Sequence, residues 1–376
     1  MEESLKIMIV AGEASGDKLG AALVRELNEI ASPKPVEWFG AAGPKMRELC
    51  VEAVVNSDEM SVVGVAEILR AGPMFLRIYR QLKALANERK PDVVVLVDLP
   101  DFNLKLAKAL KKAGHKVVFY VSPQLWAWRS YRRRTIEKYV DLLLTILPFE
   151  KEWYAKHGIT NVEFVGNPHA AEVKADKSRS EFLTGLGLEP EAPTVVFMPG
   201  SRTKEVERIF PVMASAAALL KERVDEVQFV VALANERHRR FIGQGSFETV
   251  VGQTYNALAA ADAAAIKCGT GTLEAGILGT PMVNVYKTSA LNYFLIRPLV
   301  HSKYYSLVDL VADERIAEEL IQSELTPERL ADELIKLLDP ATNAAFRKRL
   351  NVVRECLGPA GASGRAARAV LRVIEA

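Results

Sequence analysis

The sequence predicts two α/β domains, each a doubly wound parallel sheet, facing one another across a cleft. Three observations predict it. At 376 residues the chain is too long for one ordinary core. Short, nearly continuous apolar runs alternate with amphipathic segments, the pattern of parallel strands covered on both faces. That alternation stops in a proline-rich stretch near the middle and then restarts.

In the first half the strands are expected at Lys6–Ala11, Asp92–Val97, Lys116–Val121 and Leu142–Ile146, each bounded by Gly, Pro or Asp. Helical periodicity lies between them, at Lys18–Ile30 and Leu104–Ala113. Gly166–Pro193, with Pro168, Pro190 and Pro193, reads as the interdomain link. Beyond it come strand Thr194–Met198, helix Lys204–Lys221, and strands Gln228–Ala232, Ala263–Ile266 and Met282–Val285. The expected domains are therefore 1–166 and 167–350, with helices in 351–376 returning to the first; the helical pattern there is Ala362–Glu375.

Composition narrows the function. Hydrophobic residues at 49% and charged residues at 26% describe a folded chain rather than a disordered one. A net charge of +2 gives no global case for nucleic acid. Cys50, Cys268 and Cys356 are scattered and odd in number, without disulfide or zinc spacing, which fits a reducing compartment. The five histidines form no HxxxH pair, so no metal is expected. The acidic start lacks the basic region and cleavage site of a signal peptide, and no run approaches the roughly 18 apolar residues of a membrane span. The expected location is cytoplasmic, with membrane contact at the surface.

In such folds binding chemistry collects where strands end. Gly12-Glu13-Ala14-Ser15-Gly16-Asp17 follows the first strand and opens a helix, as a tight turn capped by Asp17 or as an anion cradle. At Asp98-Leu99-Pro100-Asp101-Phe102-Asn103, Asp98 leaves an apolar strand, and two roles stay open for it: general base, or helix N-cap shared with Asp101. Val121–Arg129 brings Trp126, Trp128 and Arg129 together, suited to a sugar or acyl chain as well as to core packing. Tyr131 and Arg132, Arg133 and Arg134 follow, as a solvated face or a contact for anionic lipid or phosphate.

In the second half, Pro199-Gly200-Ser201-Arg202 exposes backbone donors beside a guanidinium that can clamp a phosphate. Gly269-Thr270-Gly271-Thr272-Leu273-Glu274 opens another helix, with Glu274 either capping it or gripping ribose hydroxyls. Two phosphate-competent helix starts in one domain favour a nucleotide diphosphate. Finally, Met60–Leu69 with Arg70, Met74, Phe75 and Arg77 is an apolar segment with interleaved cations, either packed on the sheet or lying on an anionic membrane.

Taken together, AGEASGD (Ala11–Asp17), GVAEIL (Gly64–Leu69), DLPDFN (Asp98–Asn103), YVSPQLWAWR (Tyr120–Arg129), LPFEKEWY (Leu147–Tyr154), PGSR (Pro199–Arg202) and GTGTLE (Gly269–Glu274) resemble the lipid-A-disaccharide synthase family. The resemblance implies a Rossmann-like GT-B fold, with acceptor on the first domain and UDP-sugar on the second. It implies an inverting transfer from UDP-2,3-diacylglucosamine to 2,3-diacylglucosamine 1-phosphate, giving a β-1,6 disaccharide 1-phosphate and UDP, without cofactor or metal. Asp98 matches the family's base. Arg202 with Gly200 and Ser201 is expected to stabilise departing UDP, and Glu274 with Gly269, Thr270 and Thr272 to hold ribose and phosphates. Glu13, Ser15, Gly16, Asp17, Asn103, Trp128 and Arg129 are expected on the acceptor side. The acylated substrates imply work at the cytoplasmic face of the inner membrane, with Ile68, Leu69, Met74 and Phe75 in contact with it, and the resemblance is compatible with a homodimer.

Three departures stand out. Asn167 replaces the family's usual histidine, Asp309 replaces its usual asparagine, and the stretch from Asn235 to Gly252 is short. Asp309 is expected to bring an extra negative charge towards the donor. Two rival readings follow from the same fold: a UDP-N-acetylglucosamine 2-epimerase-like isomerase, which leaves WAWR and GVAEIL unexplained, and a non-catalytic nucleotide-sugar-binding protein.

Overall fold

The computed structural model of the chain describes residues 4–60, 72–243, 247–300 and 302–376. The chain divides into two units, Met1–Pro168 with Pro359–Ala376, and His169–Gly358.

Among the described residues, the first unit is built on β1 (Leu5–Ala11), β2 (Val36–Ala42), β3 (Glu52–Asn56), β4 (Val93–Val97), β5 (Val117–Tyr120), β6 (Leu142–Thr145) and β7 (Val162–Phe164). They form one parallel sheet in the order β3-β2-β1-β4-β5-β6-β7. Alternate side chains serve opposite faces, as strand geometry requires. Met8, Val10, Val94, Leu96 and Phe119 join helices Gly72–Arg89 and Pro100–Lys112 in one core layer. Ile7, Ile9, Val93, Val95 and Tyr120 join helices Ala14–Ala31 and Ala362–Glu375 in the other. The final helix is tied down by polar contacts too: Lys116 donates to the Ile374 carbonyl at 2.9 Å, and Arg365 to that of Val165 at 2.8 Å.

The second unit repeats the plan with β8 (Thr194–Met198), β9 (Gln228–Leu233), β10 (Glu248–Val251), β11 (Ala263–Lys267), β12 (Met282–Tyr286) and β13 (Glu318–Ile321), ordered β10-β9-β8-β11-β12-β13. Helix Thr203–Arg223 packs against Pro327–Leu338, and Thr270–Leu278 against Pro340–Cys356.

Two expectations about the course of the chain need correction. Gly166–Pro193 is not a bare link: helices His169–Glu172 and Arg179–Thr184 lie within it. The Arg179 guanidinium fastens it to the second unit through Ala260 and Ala192 carbonyls and a paired contact to Asp262. The second unit also runs to 358 rather than 350, because helix Pro340–Cys356 is unbroken across that boundary. Arg347 holds that helix to the carbonyls of Gly279 and Ala261 at 2.8 and 2.9 Å.

Candidate active site

In each unit the strand order reverses beside one central pair, and loops leave the carboxyl ends of those strands on either side of a crevice. In the first unit the pair is β1 and β4, with Ala11 opposite Val97. The next residues are therefore Gly12 and Asp98. Asp98 and Leu99 both hold left-handed backbone, at φ 51° and 47°. Two consecutive non-glycine residues in that region cost on the order of 1–3 kcal/mol each, strain that concentrates at functional turns. A Cβ on Gly12 would fall 2.4 Å from Leu99 Cδ2, so glycine is what lets the Leu99 side chain fold back there.

Neither Asp98 nor Asp101 caps the following helix; Leu99 is the N-cap residue and Pro100 enters the first turn. The Asp98 carboxyl is half-buried, and its pKa is raised, first by desolvation and then by the nearby Glu13 charge, against a Leu99 N–H that donates to it. A carboxyl held this way is a stronger base than a solvated one.

The loop after β5 lies alongside. Val121, β-branched yet at φ 74°, marks its strained start. Ser122 is 3.0 Å from the Tyr154 hydroxyl, and Trp126 Nε1 donates to Glu150 at 3.2 Å, so the loop is anchored from below. Its far end is presented outward: Trp128 is 41% exposed with the Arg129 guanidinium 4.2 Å over its ring. Asp101 pairs with both Arg129, at 3.1 Å, and Arg132, linking the β4 and β5 loops. Glu13 and Ser15 are exposed at the β1 loop, while Gly16 is buried.

Two residues expected to meet acceptor are instead internal. Asp17 is buried and accepts the backbone N–H groups of Gly43, Lys45 and Met46 at 2.9–3.1 Å, which pins the turn after β2. Asn103 is fully buried and donates to the carbonyls of Val97, at 3.2 Å, and Asp98, at 2.8 Å. It braces the strained turn that carries Asp98. Of the expected membrane contacts, Ile68 and Leu69 lie outside the described residues. Met74 and Phe75 pack against the core, Phe75 with its ring 5.9 Å from that of Phe102.

In the second unit the central pair is β8 and β11. Between their ends lies a cavity of about 370 Å³ lined by Gly200 and Ser201 on one side and Lys267, Gly269, Thr270 and Gly271 on the other, with Glu274 and Thr254. A second cavity, about 340 Å³, is lined by Lys174, Gln253 and Tyr255 and shares Thr254 and Glu274 with the first. Tyr255 is held protonated, its pKa pushed up to about 12, first by burial and then by the Glu274 charge.

The Ser201 and Arg202 N–H groups are not open donors. Both donate to Glu205 Oε2 at 3.2 Å, and the other Glu205 oxygen lies 2.9 Å from Lys267 Nζ and 3.6 Å from Arg202. Arg202 itself extends outward, its side chain 82% exposed. A Cβ on Gly200, which sits at φ 128°, would fall 2.6 Å from the Glu205 carboxylate. Glu205, Lys267 and the Thr254–Tyr255 pair are site residues to which the sequence alone assigns no binding role. A cation two residues before Gly269 is the signal for Lys267.

Thr272, expected on the phosphates, is buried; it donates to the Gly269 carbonyl at 2.8 Å and accepts the Leu307 N–H at 3.2 Å. Asp309, expected to bring a negative charge towards the donor, is engaged inside the second unit. It is buried, accepting the N–H groups of Ile316 and Ala317 at 2.8 and 3.0 Å and the Ser306 hydroxyl at 2.7 Å. Asn167 is buried in the first unit and donates to the Ile146 carbonyl at 3.1 Å.

Two doubly wound units, the second with a cavity beside Lys267 at its switch point, define a protein of the GT-B class. A profile of the family described as lipid-A-disaccharide synthetase matches residues 7–358. The chain is 41% identical over 376 residues to the lipid-A-disaccharide synthase of Geobacter metallireducens, covering 98% of this chain and 97% of that one. It is 42% identical over 378 residues to that of Anaeromyxobacter dehalogenans, with the same coverage. The chain belongs to the lipid-A-disaccharide synthase family, glycosyltransferases of lipid A disaccharide synthesis. Among solved structures it is similar in fold to the UDP-GlcNAc 2-epimerase of Neisseria meningitidis bound to UDP-GlcNAc. That likeness has a TM-score of 0.67 at 13% identity over 98% of this chain and 100% of the other.

Proposed function

We propose that the chain transfers 2,3-diacylglucosamine from UDP to the 6-hydroxyl of 2,3-diacylglucosamine 1-phosphate, with inversion, at the cytoplasmic face of the inner membrane. The first unit takes the acceptor and the second the donor. The observation that carries this reading is the Asp98 carboxyl: half-buried, raised in pKa and fixed at the β4 end by a braced, strained turn.

In this reaction Asp98 accepts the proton of the acceptor 6-hydroxyl while that oxygen attacks the anomeric carbon. The bond from that carbon to the UDP oxygen breaks, and one displacement inverts the centre. Negative charge then grows on the β-phosphate, where fixed cations and N–H donors lower the barrier. Lys267, Arg202 and the Ser201 N–H are the groups available, and Glu205 holds the place a phosphate takes. Glu274, shared by the two cavities, suits the ribose that joins base to diphosphate, which puts uracil beside Gln253 and Tyr255. Trp128 and Arg129 offer the acceptor an apolar ring and a cation for its phosphate.

The assay is direct. Purified chain with both acylated sugars in detergent should form disaccharide phosphate and UDP in equal amounts, and Asp98→Ala should stop both. UDP release without disaccharide from folded protein would sink the transfer reading. The epimerase reading has support from fold likeness only and predicts no need for a lipid acceptor.

A further inference from the structure

Two side chains of one short helix hold the loop that follows β5. Glu150 and Tyr154 belong to helix Pro148–Ala155 and, four residues apart, lie on one face of it. Each reaches a different part of the loop. Glu150 accepts the Trp126 Nε1–H at 3.2 Å. The Ser122 hydroxyl donates to the Pro123 carbonyl at 3.1 Å, which leaves the Tyr154 hydroxyl to donate to Ser122 Oγ at 3.0 Å. Burial keeps that phenol protonated and able to donate.

The loop needs such holds. Left-handed residues bracket it, Val121 at φ 74° and Arg129 at φ 52°, a conformation that persists only where the surroundings fix it. Inside it, the Ala127 and Trp128 N–H groups both turn back to the Gln124 carbonyl, at 3.1 and 3.3 Å. Leu125 is buried in the core and sets the depth of the loop, but an apolar contact has no direction. Orientation comes from the two hydrogen bonds. Helix capping accounts for one Glu150 oxygen, which accepts the Leu147 N–H at 3.2 Å. The other oxygen goes to the indole of Trp126, whose ring stands edge-on to Phe149 with centroids 5.1 Å apart. Glu150 and Tyr154 are both buried, whereas Trp128, two residues beyond Trp126, is the exposed end of the loop.

We propose that Glu150 and Tyr154 are positioning residues for the acceptor: through Trp126 and Ser122 they fix the loop so that Trp128 and Arg129 stand ready for the acylated sugar phosphate. The inference rests on the reading that Trp128 and Arg129 meet the acceptor. It adds to that reading that acceptor affinity is set from a buried helix face behind the loop.

Disaccharide formation by the full chain is measured at varied acceptor and saturating donor, beside UDP titration and thermal melting. Trp126→Phe deletes the indole N–H and keeps a ring, and Tyr154→Phe deletes the hydroxyl. Each should raise the acceptor KM about fivefold, the worth of one hydrogen bond, with kcat and the Kd for UDP within about twofold of wild type. The double variant should reach about 25-fold, because the two holds are separate. Ser122→Ala, the smallest change, breaks the Tyr154 bond from the loop side and serves should an aromatic variant not fold. A lower melting temperature with an unchanged acceptor KM overturns the proposal, and so does a Kd for UDP that rises as much as the acceptor KM. Arg129→Gln tests the underlying reading by itself. An unchanged acceptor KM there removes the acceptor from this loop, whereas a rise there with none in Trp126→Phe and Tyr154→Phe removes the positioning role alone.

Discussion

The Glu205 carboxylate and the Lys267 ammonium lie 2.9 Å apart across the switch point of the second unit. The same carboxylate accepts the two N–H groups that open helix Thr203–Arg223. On the proposed donor reading, that carboxylate stands where a phosphate would meet the helix start and the lysine. Entry of a diphosphate exchanges one anion for another. Glu205→Gln removes the competing charge while keeping an acceptor for the capping bonds, so UDP should bind several-fold more tightly. Lys267→Met should weaken it about tenfold or more, the loss of a charge-assisted contact. Titration calorimetry with UDP reads both, and equal affinity in Glu205→Gln and wild type would remove Glu205 from the donor site.

Asp98 supplies a pH prediction whose sign follows from its surroundings. Desolvation and the Glu13 charge raise its pKa above the ordinary 3.8, so the acid limb of kcat/KM should lie above that value. Glu13→Gln removes a like charge, favours the Asp98 anion, and should shift the limb to lower pH. Asp98→Asn should reduce kcat by roughly 10²–10⁴-fold, the range for loss of a general base, with UDP affinity unchanged. A limb that stays in place in Glu13→Gln would mean that another group titrates.

Asn103 braces the turn that carries Asp98. Its amide holds the Val97 and Asp98 carbonyls, and Asn103→Leu leaves both without that donor in a buried place. Stability should fall by about 1–3 kcal/mol for an unsatisfied buried group. A positioning role adds that kcat drops while the Kd for UDP holds, because the second unit is untouched. Destabilisation with normal kcat at low temperature would leave Asn103 a purely structural residue.

The central strands were legible in the sequence because β-branched runs such as Val93–Val97 are buried on both faces. Those not anticipated are mostly sheet edges. β3, β7, β10 and β13 each end a sheet, and each carries a glutamate that dilutes the apolar signal. β2 lies inside the sheet, but Gly40 and two alanines weaken its pattern. The loops were legible as loops; the duties of their polar side chains were not. Asp17 serves backbone 26 to 29 residues away, and Thr272 reaches one 35 residues on. Asp309 closes a turn onto Ile316 and Ala317. Sequence spacing reveals caps within a turn of helix and says nothing of partners brought in by the fold. Lys267 and Glu205 meet across two neighbouring strands for the same reason.

Glu150 ties stability to pH. It is buried beneath the tryptophan loop, accepting Trp126 Nε1 and Leu147 N–H at 3.2 Å, and burial pushes its pKa up to about 8 against an ordinary 4.5. The folded state therefore holds a proton that the unfolded chain has lost across that window. Relative to low pH, stability should decline from near pH 4.5 up to about 8, at most by roughly 1.4 kcal/mol per unit, and then level off. Glu150→Gln keeps a neutral group of similar shape and should lack this slope, so urea unfolding across the window separates the two curves. Parallel curves would show that Glu150 is ionised in the folded protein and that its surroundings compensate the charge.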